Sequence, residues 1–306
     1  MKDCIPAQLD ELVYATVRGA DGTSFLQGQL SSDLRLLDDM RAQISSYNSA
    51  KGRMLAVLHL MRRDDAIVLE LHRDIAAPTC KRLRMFVLRA KVTIEEDGGL
   101  CAFGLIGADA AARLAALGLP VPDAPLDCTH DAPRGITIVR RLGALARYSI
   151  HGTSEALAPL LAAVGPLQDY THWRRADIEA GVPTVYPATA DHFIPQTANL
   201  DRLGGIGFDK GCYTGQEIIA RVHYLGQVKR RLFVARMQGS PPAPGSEVRS
   251  ADGASVGEIV DAVVDAEGAG SLASLVLQLG HANDALRLAD GRTVHLVGPA
   301  APPDAV

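Results

Sequence analysis

Apolar and polar residues alternate with a period of two along much of the chain, which is the pattern of half-buried β-strands. The turn sequence Asn48-Ser49-Ala50-Lys51-Gly52 separates two such stretches and predicts a hairpin. The predicted strands in this part of the chain are 43–47, 54–60, 66–72, 91–96, 101–106, 136–141 and 145–151.

Helices are predicted where apolar residues recur every three to four positions. The segment 19–37 is expected to begin as a loop and continue as a helix capped by Asp21 or Thr23. Since strands and helices mix without a regular βαβ alternation, the pattern favours an α+β fold over a doubly wound sheet. The other predicted helices are 75–89, 109–117 and 154–164.

A proline-rich segment, Gln238–Gly245, is the clearest boundary in the chain and predicts a stiff connector. Short apolar stretches separated by glycines follow it at 257–264, 274–279 and 293–297. Strands this short and closely spaced are typical of a small β-barrel or sandwich. We therefore place a C-terminal β-barrel at 240–306.

Composition narrows the class of protein. The 306 residues carry a formal net charge of −4, and 47% of them are hydrophobic, which excludes wholesale disorder and suggests two or three domains. The mild acidity argues against a general nucleic-acid binder, which needs a dense basic face. No apolar run reaches the roughly eighteen residues of a membrane span without a charge. Residues 1–6 lack the apolar region of a secretory signal, so we expect a cytoplasmic protein.

The five cysteines are odd in number and widely spaced, and none forms a CxxC pair. This usage suits a reducing cytoplasm rather than a disulfide framework. It also argues against a self-contained zinc or cluster site, since such sites draw on closely spaced thiolates. We therefore expect no resident metal. The cysteines are Cys4, Cys80, Cys101, Cys128 and Cys212.

The segment 208–221 contains the densest group of chemically informative residues. Thr214 and Glu217 have the spacing of a capping box, in which each side chain bonds the other residue's backbone N–H. A helix is therefore predicted from about Thr214 to Arg221. Cys212 would lie just ahead of its N-terminus, where free N–H groups and the positive end of the dipole favour a thiolate.

Neighbouring residues strengthen this site. Lys210 adds positive charge near Cys212, while Gly211 and Gly215 remove side chains so that backbone and ligand can approach. Cys212 and Lys210 are thus the candidate catalytic residues of a site suited to an anion. The alternative stays open that Cys212 is a small buried hydrophobic residue, the commoner fate of a free cysteine.

The octapeptide 210–217, KGCYTGQE, resembles the signature of the YgfZ family, folate-binding relatives of the aminomethyltransferase (T-protein) of glycine cleavage. The resemblance extends in order over nearly the whole chain, although the other segments are weaker individually. Those segments are Arg18–Asp21, Phe25–Asp33, Asn48 with Lys51–Arg53, Ile178–Pro183, Phe193–Leu200 and Gly204–Ile206.

This resemblance implies an N-terminal and a middle α+β domain that intertwine around a central folate funnel, with a small C-terminal β-barrel. On this chain, 1–50 and 130–225 would form the folate-binding domain and 51–129 the second domain. The implied cofactor is tetrahydrofolate or a derivative. The implied partners are iron–sulfur client or assembly proteins. From the charge and the apolar pattern we expect neither nucleic acid nor membrane as a partner.

Two departures from the T-protein separate the chain from glycine cleavage. In aminomethyltransferases the turn after the asparagine ends in an acidic pair, whose positions here are Leu55 and Ala56. No carboxylate is therefore present there to orient or deprotonate an amine on the folate. T-proteins also generally lack the cysteine found here as Cys212. Both differences favour the YgfZ branch.

The resemblance also implies folate-binding residues. Glu179 matches the T-protein glutamate that contacts the pterin, whose adjacent N–H donors suit a carboxylate; a surface role is the alternative. Asp177, where many relatives carry Arg, changes the local charge. Independently of the resemblance, the charge pattern adds Arg221 and Arg230, from a basic cluster that either holds the glutamate-tail carboxylates or is solvated. The other candidates are Tyr47, Asn48, Gln196, Asn199 and Tyr213.

Three more residues have two interpretations each. His223 with Cys212 would bind a metal or activate the thiol, but one cysteine and one histidine are too few ligands for a stable site. Trp173 and Tyr170 would stack on a pterin or benzoyl ring, although packing in the core is the more frequent role.

The motifs and the resemblance leave three alternative functions for the protein. The first is a tetrahydrofolate-dependent accessory factor for assembly or repair of iron–sulfur proteins, with Cys212 as a redox-active or transferring thiol. The second is an aminomethyltransferase or demethylase of one-carbon metabolism, against which Leu55 and Ala56 argue. The third is a folate-binding module, a store or sensor, without chemistry at Cys212.

Overall fold

A computed structural model describes residues 4–266 and 268–299. Its strands form two five-stranded antiparallel sheets and a closed six-stranded barrel, which confirms the α+β class and the C-terminal β-barrel. Residues 300–306 of the expected barrel range lie outside the described residues. The strands are β1 Ile5–Gln8, β2 Leu12–Arg18, β3 Gln43–Asn48, β4 Met54–Arg63, β5 Ala66–His72, β6 Thr93–Glu96, β7 Leu100–Ile106, β8 Cys128–Asp131, β9 Ile136–Arg140, β10 Arg147–Thr153, β11 Arg230–Gln238, β12 Glu247–Arg249, β13 Ser255–Val264, β14 Gly270–Gln278, β15 Leu286–Leu288 and β16 Thr293–Pro299.

Helices cover the sheets and close their connections. Among the described residues, no helix combines the length and the hydropathy needed to cross a bilayer. The α-helices are α1 Gly22–Gln27, α2 Arg73–Met85, α3 Ala110–Ala116, α4 Ser154–Val164, α5 Tyr170–Ala180 and α6 Gln216–Tyr224. Short 3₁₀ helices span Leu34–Leu36, Ala132–Arg134, Pro195–Ala198 and Leu279–His281.

One of the two five-stranded sheets has the strand order β3-β4-β5-β2-β6 and is called sheet II here, because the chain enters it second. Its hairpin β3–β4 pairs Gln43 with Leu60 at one end and Asn48 with Met54 at the other, so the expected hairpin is confirmed. The register shifts at Tyr47/Asn48, beside the turn. Such a bulge bends the strand end, and here it sets the direction in which the turn leaves the sheet.

The other sheet, sheet I, has the order β1-β7-β10-β9-β8. The chain begins in sheet I with β1, builds sheet II from β2 to β6 and returns to sheet I at β7, so the two units intertwine. The strands nevertheless group differently from the expected ranges, 1–50 with 130–225 and 51–129. The boundary at residue 50 falls inside the β3–β4 hairpin, whose strands share one sheet because they are hydrogen-bonded partners.

The barrel, with strand order β11-β14-β13-β12-β15-β16, begins at Arg230 and not at the expected residue 240. Its first strand precedes the proline-rich segment because that segment connects β11 to β12 inside the barrel. Alternate residues of β11 face two cores. Phe233 packs inside the barrel, whereas Leu232 joins the large core that includes sheet II.

The expected helix within 19–37 is much shorter in the structure. Helix α1 ends at Gln27, and a turn and a 3₁₀ helix follow. The Asp21 side chain does not cap α1 but accepts a hydrogen bond from the backbone N–H of Lys91, at 2.7 Å. Leu30 and Leu34 are still fully buried, so the apolar spacing reports their burial and not a continuous helix.

Candidate functional site

The turn between β3 and β4 is anchored within itself and to a distant loop. The backbone N–H of Ser49 donates to the Arg53 carbonyl at 2.8 Å, and Ser49 Oγ donates to Asp191 Oδ1 at 2.6 Å. The N–H of Met54 donates to the Phe193 carbonyl at 2.8 Å. The turn and the loop around residues 191–193 therefore form one connected unit.

This turn packs against the octapeptide through two glycines. Gly52 and Gly215 both have left-handed backbones, with φ of +68° and +82°. A Cβ on Gly215 would lie 2.5 Å from the Ser49 carbonyl oxygen, and one on Gly52 would lie 2.9 Å from the Gly215 carbonyl oxygen. Because Gly215 has no side chain, two backbone segments touch here. The sequence had predicted room for both backbone and ligand, and at this glycine the space is taken by backbone.

Helix α6 begins at Gln216 with Gly215 as its N-cap, and the expected capping box of Thr214 and Glu217 does not form. Instead, Gln216 Oε1 accepts a hydrogen bond from the backbone N–H of Tyr213 at 2.9 Å. The contact with Gly52 holds Gly215 in the left-handed region, which moves the helix start beyond Thr214. Cys212 thus lies in the preceding loop, outside the first turn in which the helix dipole acts.

The Cys212 side chain is exposed, and the other four cysteines are buried or half-buried. All five are unpaired. A Cβ on neighbouring Gly211 would meet nothing within 4 Å, so the loop is open on that side. The alternative that Cys212 is a buried hydrophobic residue does not hold, because its thiol is accessible to solvent and to a partner.

Lys210 is half-buried and turned into the protein. Its Nζ donates to the carbonyls of Leu30 and Ser32, both at 2.7 Å, and lies 4.8 Å from the centre of the Tyr213 ring. Burial lowers the pKa of Lys210 to about 8, although the Asp33 carboxylate opposes this shift. Burial also raises the pKa of the Tyr213 phenol to about 12. Lys210 and Tyr213 thus hold the loop that carries Cys212.

Gln196 and Asn199 connect three backbone segments. Gln196 Nε2 donates to the Ile219 carbonyl of α6 at 2.7 Å, and Asn199 Nδ2 donates to the Leu232 carbonyl of β11 at 3.0 Å. Arg231 donates to the Gln196 carbonyl and to Asp201 Oδ1, at 2.8 and 2.6 Å. Both amide nitrogens are engaged in this way, which gives the two residues a positioning role beside the site, while Gln196 Oε1 has no hydrogen-bond partner among the described residues.

A cavity of about 200 Å³ lies between β3, β4, α2 and the segment 187–190. Tyr47 and Leu55, from the two sides of the hairpin, contribute to its wall, whereas Ala56 is fully buried and not in the lining. Most of the wall is apolar, which suits an aromatic ring. The lining residues are Tyr47, Leu55, Asp74, Ile75, Pro78, Thr79, Arg82, Pro187 and Ala190.

A second opening of about 390 Å³ adjoins this cavity and shares Asp74 with it. Two tyrosines line it, Tyr170 and Tyr186, together with four carboxylates, His72 and Arg174. The second opening alone reaches the size of small-molecule sites, roughly 300–1,000 Å³. The lining carboxylates are Asp10, Glu11, Asp74 and Asp169.

Helix α2 contributes the polar residues of the cavity, and sequence reasoning missed them. Asp74, Pro78 and Arg82 recur at intervals of four and therefore share one face of the helix. Arg82 also lies over the Phe86 ring, 5.8 Å from its centre. The i, i+4, i+8 spacing was visible in the sequence, but nothing in it showed that this face borders Tyr47 and Leu55.

Asn48 differs from the other candidates. It is fully buried, and neither amide atom has a hydrogen-bond partner among the described residues. A buried amide without partners costs on the order of 1–3 kcal/mol. Asn48 does not line the cavity, although the preceding residue of β3, Tyr47, does.

Glu179, Arg221 and Arg230 are exposed, and none of them lines either opening. Glu179 lies near the C-terminal end of α5, whereas Asp177, on the same helix, is buried and 2.7 Å from Arg147 Nη1. The structure therefore does not bring these three candidates together with Tyr47 at the cavity.

The two aromatic candidates, Trp173 and Tyr170, lie in different environments. Trp173 is fully buried, with the guanidinium carbons of Arg141 and Arg147 at 5.7 and 5.2 Å from its ring centre, so it belongs to the core, whereas Tyr170 lines the second opening. His223 stacks on Phe208, with ring centres 3.6 Å apart. In the part of the chain that the structure describes, no group of three His, Cys, Asp or Glu residues is arranged to hold a metal ion.

Comparison with known proteins identifies relatives named tRNA-modifying protein YgfZ. The relative from Edwardsiella ictaluri (strain 93-146) is 36% identical over 235 residues, which are 75% of this chain and 70% of that protein. The chain belongs to the YgfZ family. The YgfZ of Sodalis glossinidius (strain morsitans) is 33% identical over 244 residues, and that of Escherichia coli O157:H7 (strain EC4115 / EHEC) is 34% identical over 230.

The fold of this YgfZ-family chain has a solved counterpart. The crystal structure of glycine cleavage system aminomethyltransferase T from Bartonella henselae matches with a TM-score of 0.71 over 99% of this chain and 87% of that one. At 16% identity, the match shows a common fold. No protein-family model matches the chain.

Proposed function

We propose that this YgfZ-family protein is a tetrahydrofolate-binding accessory factor for the assembly or repair of iron–sulfur proteins. One observation supports this most: the loop with the exposed Cys212 packs on the turn whose flanking strands supply Tyr47 and Leu55 to the cavity wall. The Gly52–Gly215 contact therefore connects a ligand site to an accessible thiol.

The two openings suit the three parts of a folate. The pterin presents adjacent N–H donors, for which the Asp74 carboxylate and the faces of Tyr170 and Tyr186 are suitable partners. The benzoyl ring suits the apolar wall around Leu55. The glutamate tail carries carboxylates, which the Arg82 guanidinium can hold in a bidentate fork.

The chemistry at the hairpin differs from that of an aminomethyltransferase. Leu55 lines the cavity without a carboxylate, and Ala56 is buried outside it. A bound amine on the folate would find no general base at either position. We therefore favour binding over transfer of a one-carbon unit.

The names of the relatives point to tRNA modification as the process served. We propose that the iron–sulfur clients include enzymes that modify tRNA, and that Cys212 is the thiol presented to them. The net charge of −4 agrees with an action through a protein client, because a protein that wraps tRNA broadly needs an extended basic face.

Calorimetry with tetrahydrofolate tests the binding site. Leu55→Trp fills the cavity and should abolish binding, and Arg82→Ala should weaken it by at least about tenfold through loss of a charge-assisted contact, worth roughly 1.5–3 kcal/mol. Arg89→Ala, an exposed arginine outside the lining, is the matched control. Unchanged affinity in Leu55→Trp would show that folate binds elsewhere or not at all.

A cellular test addresses the thiol. Cys212→Ser should lower the activity of iron–sulfur enzymes and the level of tRNA modifications that depend on them, while Cys101→Ser, on a half-buried cysteine, should not. Full activity in Cys212→Ser would leave the folate store or sensor as the function. Rapid formation of methylene-tetrahydrofolate from an aminomethyl donor would instead establish the aminomethyltransferase, and its formation from a methylamine-type donor supplied with an electron acceptor would establish the demethylase.

A further inference from the structure

The end of α6 and the start of β11 form an exposed surface that the proposed folate site does not use. It combines three rings with three cations, and we call it the α6–β11 surface. Its members are the exposed residues Arg221, His223, Tyr224, Lys229 and Arg230 and the half-buried Phe208, which also packs against the large core.

The rings on this surface are already arranged for stacking. Phe208 and His223 lie nearly parallel, at 13° with centres 3.6 Å apart, which is the separation of stacked bases. Tyr224 stands edge-on to His223, at 80° and 4.7 Å. Tyr224 is 62% exposed and the adjacent Leu225 is 86% exposed, although burial of such side chains is the rule.

The cations on the same surface are free. The side chains of Arg221, Lys229 and Arg230 are exposed, and no hydrogen bond or ion pair of the described residues involves them. Arg231, the next residue, is by contrast turned inward to Asp201. The carboxylates nearest along the chain, Asp209 and Glu217, are fewer than the cations, so the surface keeps a local positive excess.

We propose that the α6–β11 surface binds an unpaired segment of RNA. Unpaired bases stack on aromatic side chains while basic groups hold the backbone phosphates. Arg221 and Tyr224, three residues apart on α6, share one face of that helix, and Lys229 and Arg230 follow within six residues of Tyr224. An acidic protein segment would neutralise the cations but leave the stacked Phe208–His223 pair without a planar partner. The overall charge of −4 excludes a broadly basic protein and permits a local site of this kind.

The choice of RNA rests on the proposed role in tRNA modification, but the test needs no folate. Fluorescence anisotropy would compare a stem–loop RNA with a fully paired RNA of equal length. The stem–loop should bind more tightly, and its affinity should fall with salt. Tyr224→Ala should weaken binding about fivefold or more. Lys229→Ala with Arg230→Ala should reduce the salt slope by about 1.4, because each phosphate contact on a single strand contributes about 0.7.

Controls keep the interpretation unambiguous. Leu88→Ala and Arg287→Ala alter an exposed apolar and an exposed basic residue on other surfaces and should leave RNA affinity unchanged. Circular dichroism would show that each variant is folded. Equal affinity for paired and looped RNA, or no loss in Tyr224→Ala, would overturn the proposal, as would an acidic peptide that binds as tightly. The calorimetric result with tetrahydrofolate is independent of each of these outcomes.

Discussion

Gly52 and Gly215 touch through their backbones, since a Cβ on Gly215 would lie 2.8 Å from the Gly52 Cα. Gly52 belongs to the hairpin that supplies two walls of the cavity, and Gly215 ends the loop that carries Cys212. The contact therefore fixes the thiol loop relative to the ligand site, although the two segments are far apart in sequence.

Gly215→Ala should destabilise the protein by about 2 kcal/mol or more, because it adds a strained left-handed alanine to a steric clash with the Ser49 carbonyl. Denaturant unfolding measures the loss. Gly211→Ala is the matched control in the same loop: a Cβ there meets nothing within 4 Å, so we expect a change within about 0.5 kcal/mol. Equal stability of the two variants would contradict the contact.

The cysteines should react with iodoacetamide in an order set by exposure. Cys212 should be labelled first in the native protein, since its side chain is exposed. Cys80 and Cys128 should react only after unfolding, because both are buried and burial raises the pKa of each thiol, that of Cys128 to about 12. Mass spectrometry of peptides after timed quenching gives the order. Labelling of Cys128 before Cys212 would refute the arrangement.

Lys210 should make stability depend on alkaline pH. Its folded pKa is about 8, lowered mainly by burial from an ordinary value of 10.5. Below pH 8 both folded and unfolded chains carry the proton, whereas between pH 8 and 10.5 the unfolded chain holds more protons, so stability rises with pH. The free energy of unfolding of the wild type minus that of Lys210→Met should therefore increase over this window. A constant difference would mean that the amine is not desolvated.

Removal of one partner of the buried Glu70–Arg141 pair should strongly destabilise the protein. Both side chains are almost inaccessible, with Nη1 and Oε2 3.3 Å apart. Arg141→Met leaves the buried Glu70 carboxylate with only the His59 and His151 rings nearby, at 3.6 and 3.9 Å, and should cost about 3–5 kcal/mol. Adding Glu70→Leu should recover part of this loss. Arg249→Met, which breaks an exposed pair with Glu247, should cost less than about 1 kcal/mol. Similar losses of unfolding free energy in Arg141→Met and Arg249→Met would contradict the expected difference between the buried and the exposed pair.

The strands were predictable because their side chains alternate between core and solvent or between two cores. The strand expected at 66–72 is confirmed at both ends as β5, and the hairpin turn 48–52 follows from its composition. The barrel was likewise visible in short, glycine-separated stretches. Its first strand was not, since the proline-rich segment looked like a domain boundary and is in fact an internal connection.

Local rules failed where tertiary contacts prevail. Thr214 and Glu217 have the spacing of a capping box, yet packing against Gly52 moves the start of α6 to Gln216. Helix α5 was also missed, because its buried face contains Asp177, which pairs with Arg147, and so it lacks a simple apolar stripe. Gly52 is far in sequence from the start of α6, and Arg147 is far in sequence from Asp177, so neither contact could be read from the local sequence.

The candidate site was predictable only in part. Tyr47, Leu55 and Cys212 were identified through the family motifs, and the structure places the first two in one cavity. Asp74 and Arg82 were missed because the cavity is assembled from three separate segments, and only the fold brings α2 against the hairpin. Charge alone had suggested Arg221 and Arg230, which the structure leaves in solvent.

The two-sided packing of β11 has a consequence for truncation. A chain cut before Arg230 would lose Leu232 and Val234 from the large core, and with them the carbonyl that satisfies the buried Asn199 amide. Asp201 would lose its guanidinium partner at the same cut. The C-terminal barrel is therefore not a detachable module, and the remaining α+β body would be left with an open apolar flank.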